Sequence, residues 1–209
     1  MNRIAVIDYG MGNLHSVCKA LAHVAPDATI TLATDRQTIA AADRILLPGQ
    51  GAIAACMAEL RKLDLIEPLL QAAREKPFLG ICIGPQLMMR HSEENGGVDG
   101  LGLFDGNVVR FTPDLIDQGE TIKIPHMGWN TIKQTRAHPL WDCIADNSHF
   151  YYVHSYHLSD NPDTIGTTDY GVTFPAAIAR DNIAGLQAHP EKSADNGLRF
   201  LANFVQWQP

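Results

Sequence analysis

Short apolar runs recur through the first half of the chain, and each is followed by a stretch in which apolar positions fall three and four residues apart. Ile4 to Ile7, Ala28 to Leu32, Ile45 to Leu47 and Pro77-Phe78-Leu79 are the runs, short enough for buried strands. Leu14, Val17, Cys18 and Leu21 then form one helical stripe, and Ile53, Met57 and Leu60 another; Leu198, Leu201 and Phe204 repeat the spacing near the C-terminus. Strands alternating with amphipathic helices predict βα units feeding a parallel sheet. From Asn107 to about Gln187 the pattern changes to apolar and polar residues in alternation. The pair Asp181-Asn182, between Ala176-Ala177-Ile178-Ala179 and Ile183-Ala184-Gly185-Leu186, predicts a hairpin. The expectation is an α/β fold with one mixed sheet, parallel at its centre with antiparallel additions, in a single domain over residues 1–209. No repeat, low-complexity segment or linker interrupts it.

Composition narrows the function classes. The 209 residues are 45% hydrophobic and 19% charged, as in soluble globular chains, and the net charge of -7 disfavours nucleic acid and anionic membrane as partners. Asp8 follows only five apolar residues, too few for a signal-peptide core, and no apolar stretch approaches the roughly 20 residues that cross a bilayer. Four scattered cysteines, Cys18, Cys56, Cys82 and Cys143, with no CxxC pair, fit reduced thiols. A cytoplasmic protein is expected.

One of those cysteines stands in a demanding local sequence. In GICIGPQ, residues 80–86, Gly80 and Gly84 flank Cys82 at two residues on either side, directly after an apolar run. A sharp strand-to-helix turn crowds the backbone so that Cβ atoms at both flanking positions would collide; G-x-C-x-G is the thiol form of the nucleophile elbow. Such a turn exposes the sulfur above the carboxyl end of the sheet, at a helix N-terminus whose partial positive charge favours thiolate. Pro85 falls in the first helical turn, where its missing N–H breaks no intrahelical bond. The alternative is a cysteine packed as a small hydrophobe; a partner base must separate the two.

Of nine histidines, His189 in QAHPEKS is the one with an orienting neighbour. Pro190 is expected to prevent helix and extend the chain before it, so that His189 and Glu191 project to one side. A carboxylate holding one ring N–H leaves the other nitrogen free for a thiol, the logic of a Cys/His/acid triad. Such a set attacks carbonyl carbon, and the oxyanion that forms needs N–H donors. Ile83 supplies one by elbow geometry. Alone, LPGQGA at residues 47–52 reads as an ordinary strand-to-helix turn; beside the elbow, Gly49 and Gly51 around Gln50 make it the candidate for the second. Gly10 and Gly12 resemble a dinucleotide fingerprint that His15 spoils, and His154 and His157 would point to opposite faces of a strand, so neither a nucleotide nor a metal site is expected.

Together PGQG, GICIGPQ and QAHPEKS resemble the motifs of the triad, or class I, glutamine amidotransferases. DYGMGNLHSV (8–17), KIPHMGWN (123–130) and YVHSYH (152–157) extend the resemblance over nearly the whole chain, to the glutaminase subunits of imidazole glycerol phosphate synthase. The resemblance implies a flavodoxin-like open sheet with helices on both faces, no cofactor, and hydrolysis of L-glutamine through a thioester on Cys82, with His189 as the proton shuttle and Glu191 orienting it. It places Gln50, Gly51 and Ile83 at the oxyanion hole, and Gly49, Gln86, Glu94, His154, Ser155 and Tyr156 around glutamine. It also implies a heterodimer with a (β/α)₈ cyclase subunit of the HisF type, which receives the ammonia; Asn13, Pro125, Met127, Trp129 and Asn130 would lie at that interface, with a buried structural role the alternative for Trp129. Gln50, Pro85 and Ala188 stand where the family commonly has a small apolar residue, a methionine and a phenylalanine. Another triad amidotransferase, a γ-glutamyl hydrolase or an inactive binding module of the same fold are the competing readings.

Overall fold

The computed structural model describes residues 2–117 and 119–209. Its strands are β1 (Arg3–Ile7), β2 (Thr29–Ala33), β3 (Arg44–Leu47), β4 (Phe78–Ile81), β5 (Met89–Ser92), β6 (Val98–Asp99), β7 (Phe104–Arg110), β8 (Ile116–Asp117), β9 (Glu120–Thr121), β10 (His126–Gln134), β11 (Ser148–His154), β12 (Tyr156–Leu158), β13 (Thr164–Asp169), β14 (Thr173–Arg180) and β15 (Ile183–Leu186). The helices are α1 (Leu14–Val24), α2 (Arg36–Ala41), α3 (Ile53–Lys62), α4 (Ile66–Glu75), α5 (Ile83–Met88) and α6 (Ala194–Gln206). None of them is long and apolar enough to cross a membrane.

Nine strands form the main sheet in the order β11-β10-β13-β14-β15-β4-β3-β1-β2. The five from β15 to β2 are parallel, and β14, β13, β10 and β11 add on beyond β15 in antiparallel fashion. Successive residues on a strand face opposite ways, so each parallel strand feeds two cores. Ile4, Val6, Leu46, Leu79 and Ile81 meet α1 and α6 on one side through Val17, Leu21, Phe200, Leu201 and Phe204. Ala5, Ile7, Ile45, Leu47 and Phe78 meet α3 and α4 on the other through Ile53, Met57, Leu60 and Leu69. With each fully buried side chain of this size contributing about 1.5–3 kcal/mol, burial on both faces is what holds the near-continuous apolar runs in strands.

The predicted strands and helices of the first half form within a residue or two of their expected positions, and β14 and β15 pair across Asp181-Asn182, from Arg180↔Ile183 to Ala177↔Leu186. The second half departs in part. The region from Asn107 to Gln187 was expected to join one mixed sheet; β10, β11, β13, β14 and β15 do, but β12, β7, β5 and β6 make a separate four-stranded sheet and β8 and β9 a two-stranded one. Its Met89, Phe104, Val108 and Leu158 pack onto the α3 and α4 side of the core. That second sheet brings Tyr156, at the start of β12, to the carboxyl end of the parallel strands.

Candidate active site

β4 ends at Ile81, and the chain turns within one residue into α5. Cys82, at the turn, has φ 57° and ψ -98°, a conformation that costs a residue with a Cβ about 1–3 kcal/mol. The flanking glycines make the turn possible. A Cβ at Gly84 would lie 2.2 Å from the Leu47 carbonyl oxygen, and one at Gly80 would meet Met88 Sδ at 2.6 Å and the Gly84 carbonyl carbon at 2.7 Å. Pro85, the third residue of α5, sits against Gly185, whose added Cβ would meet the proline Cβ at 2.6 Å. The Cys82 amide donates to the Leu186 carbonyl at 2.9 Å, so the elbow is fastened to β15 as well as β4.

Three residues past Leu186, the end of β15, comes His189. Its amide donates to the Tyr151 carbonyl, and its carbonyl accepts from Ser193 Oγ at 2.6 Å, while the same Oγ accepts from the Tyr151 amide. The ring is buried, and its Nδ1 donates to Glu191 Oε1 at 2.8 Å. Pro190 does this differently from the expectation. Instead of preventing helix it opens a single 3₁₀ turn, Pro190–Lys192, and His189 is extended just before it (φ -97°, ψ 94°). His189 Nε2 is buried and makes no hydrogen bond of ordinary geometry among the described residues. Burial acts to lower the pKa of this ring, but the nearby Cys82 thiol and the Glu191 carboxylate together outweigh burial and push it up to about 9.

Around this pair lies a cavity of about 470 Å³ lined by Gln50, Gly51, Cys82, Ile83, Gln86, Glu94, Pro125, Val153, His154, Ser155, Tyr156, His189 and Lys192. Gly51 has φ 85°, as only glycine adopts readily, and the Gln50 carbonyl is turned toward Cys56 Sγ at 3.4 Å. Tyr9 Oη donates to the Pro48 carbonyl at 2.9 Å, immediately beneath Gly49, where an added Cβ would strike it at 2.3 Å. Glu94 Oε2 accepts from the amide of Ile53 at 2.6 Å, closing the N-terminus of α3. Gln86 is buried; its amide group donates to the Tyr156 carbonyl at 2.9 Å and to Gln187 Oε1 at 2.8 Å, and Gln187 Nε2 donates to the Cys82 carbonyl at 2.9 Å. Gln187 and Ser193, which brace the nucleophile and the histidine, were not singled out in the sequence. Nothing in a lone polar letter tells a buried brace from a surface residue.

The remaining candidates lie at the mouth or outside. Gly49 is behind the cavity wall, and Glu191 is behind His189, with its side chain 2% exposed. Pro125 lines the cavity at its rim; Met127 and Trp129 are 65% and 53% exposed, so Trp129 is no core tryptophan. Asn130 is half-buried, and Asn13 is exposed while its side chain caps α1 by accepting from the Ser16 amide. Ala188 is fully buried in the core beside α6.

Comparison with known proteins gives the family. The family model "Glutamine amidotransferase class-I" matches residues 5–207. Proteins named imidazole glycerol phosphate synthase subunit HisH are similar over their whole length: that of Dechloromonas aromatica (strain RCB) is 52% identical over 99% of this chain and 97% of its own. That of Aromatoleum aromaticum is 50% identical over 100% of both. Among solved structures, PurLQS from Thermotoga maritima aligns with a TM-score of 0.71 over 98% of each chain at 15% identity. The glutaminase domain of Trypanosoma brucei CTPS aligns at 0.66 over 100% of this chain and 96% of that one at 17% identity, likenesses that speak for the fold alone. The chain belongs to the class I glutamine amidotransferase family, in the branch of the HisH subunits of imidazole glycerol phosphate synthase.

Proposed function

We propose that this chain, acting as one domain over residues 1–209, is the glutaminase subunit of imidazole glycerol phosphate synthase and hydrolyses L-glutamine to glutamate and ammonia. The observation that carries the reading is His189, with one ring nitrogen on Glu191 and the other unbonded beside the strained Cys82, in a cavity at the carboxyl ends of β3, β4 and β15. The thiol proton passes to His189 Nε2, and the sulfur attacks the side-chain amide carbon of glutamine. The oxygen charge that develops is met by the Ile83 N–H and by N–H groups of the Gln50-Gly51 stretch. As the C–N bond breaks, His189 returns its proton to the leaving nitrogen and ammonia departs, leaving a thioester. Water then loses a proton to His189 and attacks the thioester, and as the C–S bond breaks to give glutamate His189 returns that proton to the leaving sulfur of Cys82. Glu191 holds the ring in the tautomer that serves both steps.

Gln86, Glu94 and the backbone of His154, Ser155 and Tyr156 are positioned to hold glutamine, with Gly49 giving the loop behind the oxyanion its close approach. The partner is a cyclase subunit with a (β/α)₈ barrel, docked over Asn13, Pro125, Met127, Trp129 and Asn130. It receives ammonia before water can protonate it and makes imidazole glycerol phosphate and an aminoimidazole carboxamide ribonucleotide. The test is ammonia release from glutamine by wild type and Cys82→Ala, with and without the cyclase and its nucleotide ligand. Stimulated release in wild type and none in the variant is expected; equal rates in both would remove Cys82 from the reaction.

A further inference from the structure

Two buried histidines, one of them the cavity-lining His154, face each other across paired strands. His126 and His154 are opposite residues of β10 and β11, 3% and 5% exposed, and His126 Nδ1 lies 2.9 Å from His154 Nε2. His154 Nδ1 lies 2.7 Å from the Tyr156 carbonyl oxygen, and Asn130 Nδ2 lies 3.3 Å from His126 Nε2. The direction of every bond in this row follows from one end. A carbonyl accepts only, so His154 donates from Nδ1 and, being neutral, accepts at Nε2; His126 must then donate from Nδ1 and accept from Asn130 at Nε2. Burial lowers the pKa of His126 to about 4 and that of His154 to about 3, which keeps both rings neutral as this arrangement requires. The row ends on a wall residue of the cavity, at the same oxygen that takes a bond from Gln86.

His126 is clamped between Tyr152 and Tyr170, stacked at 4.7 and 3.9 Å with interplanar angles of 20°. Its neighbours along β10, Met127 and Trp129, point to the other face and are exposed. Packing alone would be met as well by two apolar side chains, since replacing both members of a buried hydrogen-bonded pair can be nearly neutral. What the imidazoles add is a directed hold on one carbonyl. We propose that His126 and His154 are positioning residues for glutamine binding, a rigid tie that fixes the Tyr156 carbonyl at the cavity wall to the strand carrying Met127 and Trp129. This deepens the glutaminase reading and rests on it.

The experiment measures KM and kcat for glutamine, with the cyclase subunit present, for wild type, His126→Phe and His126→Asn, beside thermal melts of each. Phenylalanine keeps the stack between the tyrosines and loses the donor; asparagine carries an N–H near the place of Nδ1. His126→Phe is expected to raise KM roughly tenfold, the equivalent of one lost hydrogen bond, with kcat within about twofold, and His126→Asn to recover most of the loss. A purely structural pair would lower the melting temperature and leave KM alone. An unchanged KM in a folded His126→Phe protein, or no recovery in a folded His126→Asn, overturns the inference while wild type still hydrolyses glutamine. Wild type without hydrolysis overturns the glutaminase reading and the inference with it. Should the phenylalanine variant fail to fold, ¹⁵N imidazole spectra of wild type decide: both rings as neutral Nδ1–H tautomers support the tie, and either ring as Nε2–H overturns it.

Discussion

Substituting Gly84 by alanine tests the geometry of the elbow. The new Cβ would stand 2.2 Å from the backbone oxygen of Leu47, and real Cβ atoms essentially never approach closer than 3.0 Å. Leu47 is the last residue of β3, paired to Gly80 of β4 inside a parallel sheet, so its carbonyl cannot swing aside. The first turn of α5 must instead lift by roughly 1 Å, and it takes along the Cys82 thiol and the Ile83 N–H. Misplacement on that scale costs about 10²-fold in rate, and the strain of overpacking costs about 1–3 kcal/mol of stability. Ammonia release and denaturant unfolding measure the two effects. Gly102→Ala is the control: φ is 65° there with nothing within 4 Å of the added Cβ, so the change should cost about 1–2 kcal/mol of backbone strain without slowing the reaction. A Gly84→Ala protein that folds and retains kcat within about threefold of wild type would refute the reasoning, because the 10²-fold estimate rests wholly on that displacement.

Replacing Cys82 by glycine should leave the protein inactive yet more stable than Cys82→Ala by about 1 kcal/mol or more in denaturant unfolding, since only glycine meets φ 57° without strain; equal stabilities would show the turn to be relaxed. Glu191→Gln should lower kcat by about 10²–10⁴-fold in the ammonia assay while glutamine still binds, because the ring loses the carboxylate that fixes its tautomer. Folding stability should respond to pH through His189. Its folded pKa of about 9 lies above its unfolded value of about 6.5, so its contribution is complete below pH 6.5 and is lost as pH rises through 9; Cys82→Ala and Glu191→Gln should each flatten that decline in melts from pH 6 to 10. Trp129→Ala should weaken binding of the cyclase subunit by about 2 kcal/mol or more in titration calorimetry, with the melting temperature of the isolated chain little changed, since the ring is 53% exposed and packs edge-on against Tyr151.

The parallel half of the sheet was legible because burial on both faces forces continuous apolar runs, and Ile4–Ile7, Ile45–Leu47 and Phe78–Leu79 have little other use. The elbow was legible for a different reason: two glycines at fixed offsets state a steric requirement, and Leu47 and Met88 are the atoms that impose it. The four-stranded sheet was not. Its strands are two to seven residues long, β6 and β12 too short to carry a period, and β7 is broken by Gly106 at φ 112°. Polar residues that act from within the core were equally hidden. Gln187 and His126 are buried because of what faces them, Cys82 and Gln86 for one, His154 and two tyrosines for the other, and those partners lie 26 to 105 residues away in sequence. His154 was chosen for its backbone, and the work of its ring became visible only beside His126.

β3, β4 and β15 are neighbours in one ladder, and the glycine loop, the thiol and the imidazole each follow directly from one of their ends. Their lateral separation is therefore set by the interstrand spacing of about 4.8 Å, a constant of peptide chemistry that no point mutation on the surface can alter. The opposite edge of the sheet, at β2, can therefore be lengthened or redecorated while the reacting atoms stay in register, much as a vernier's fixed scale tolerates any handle.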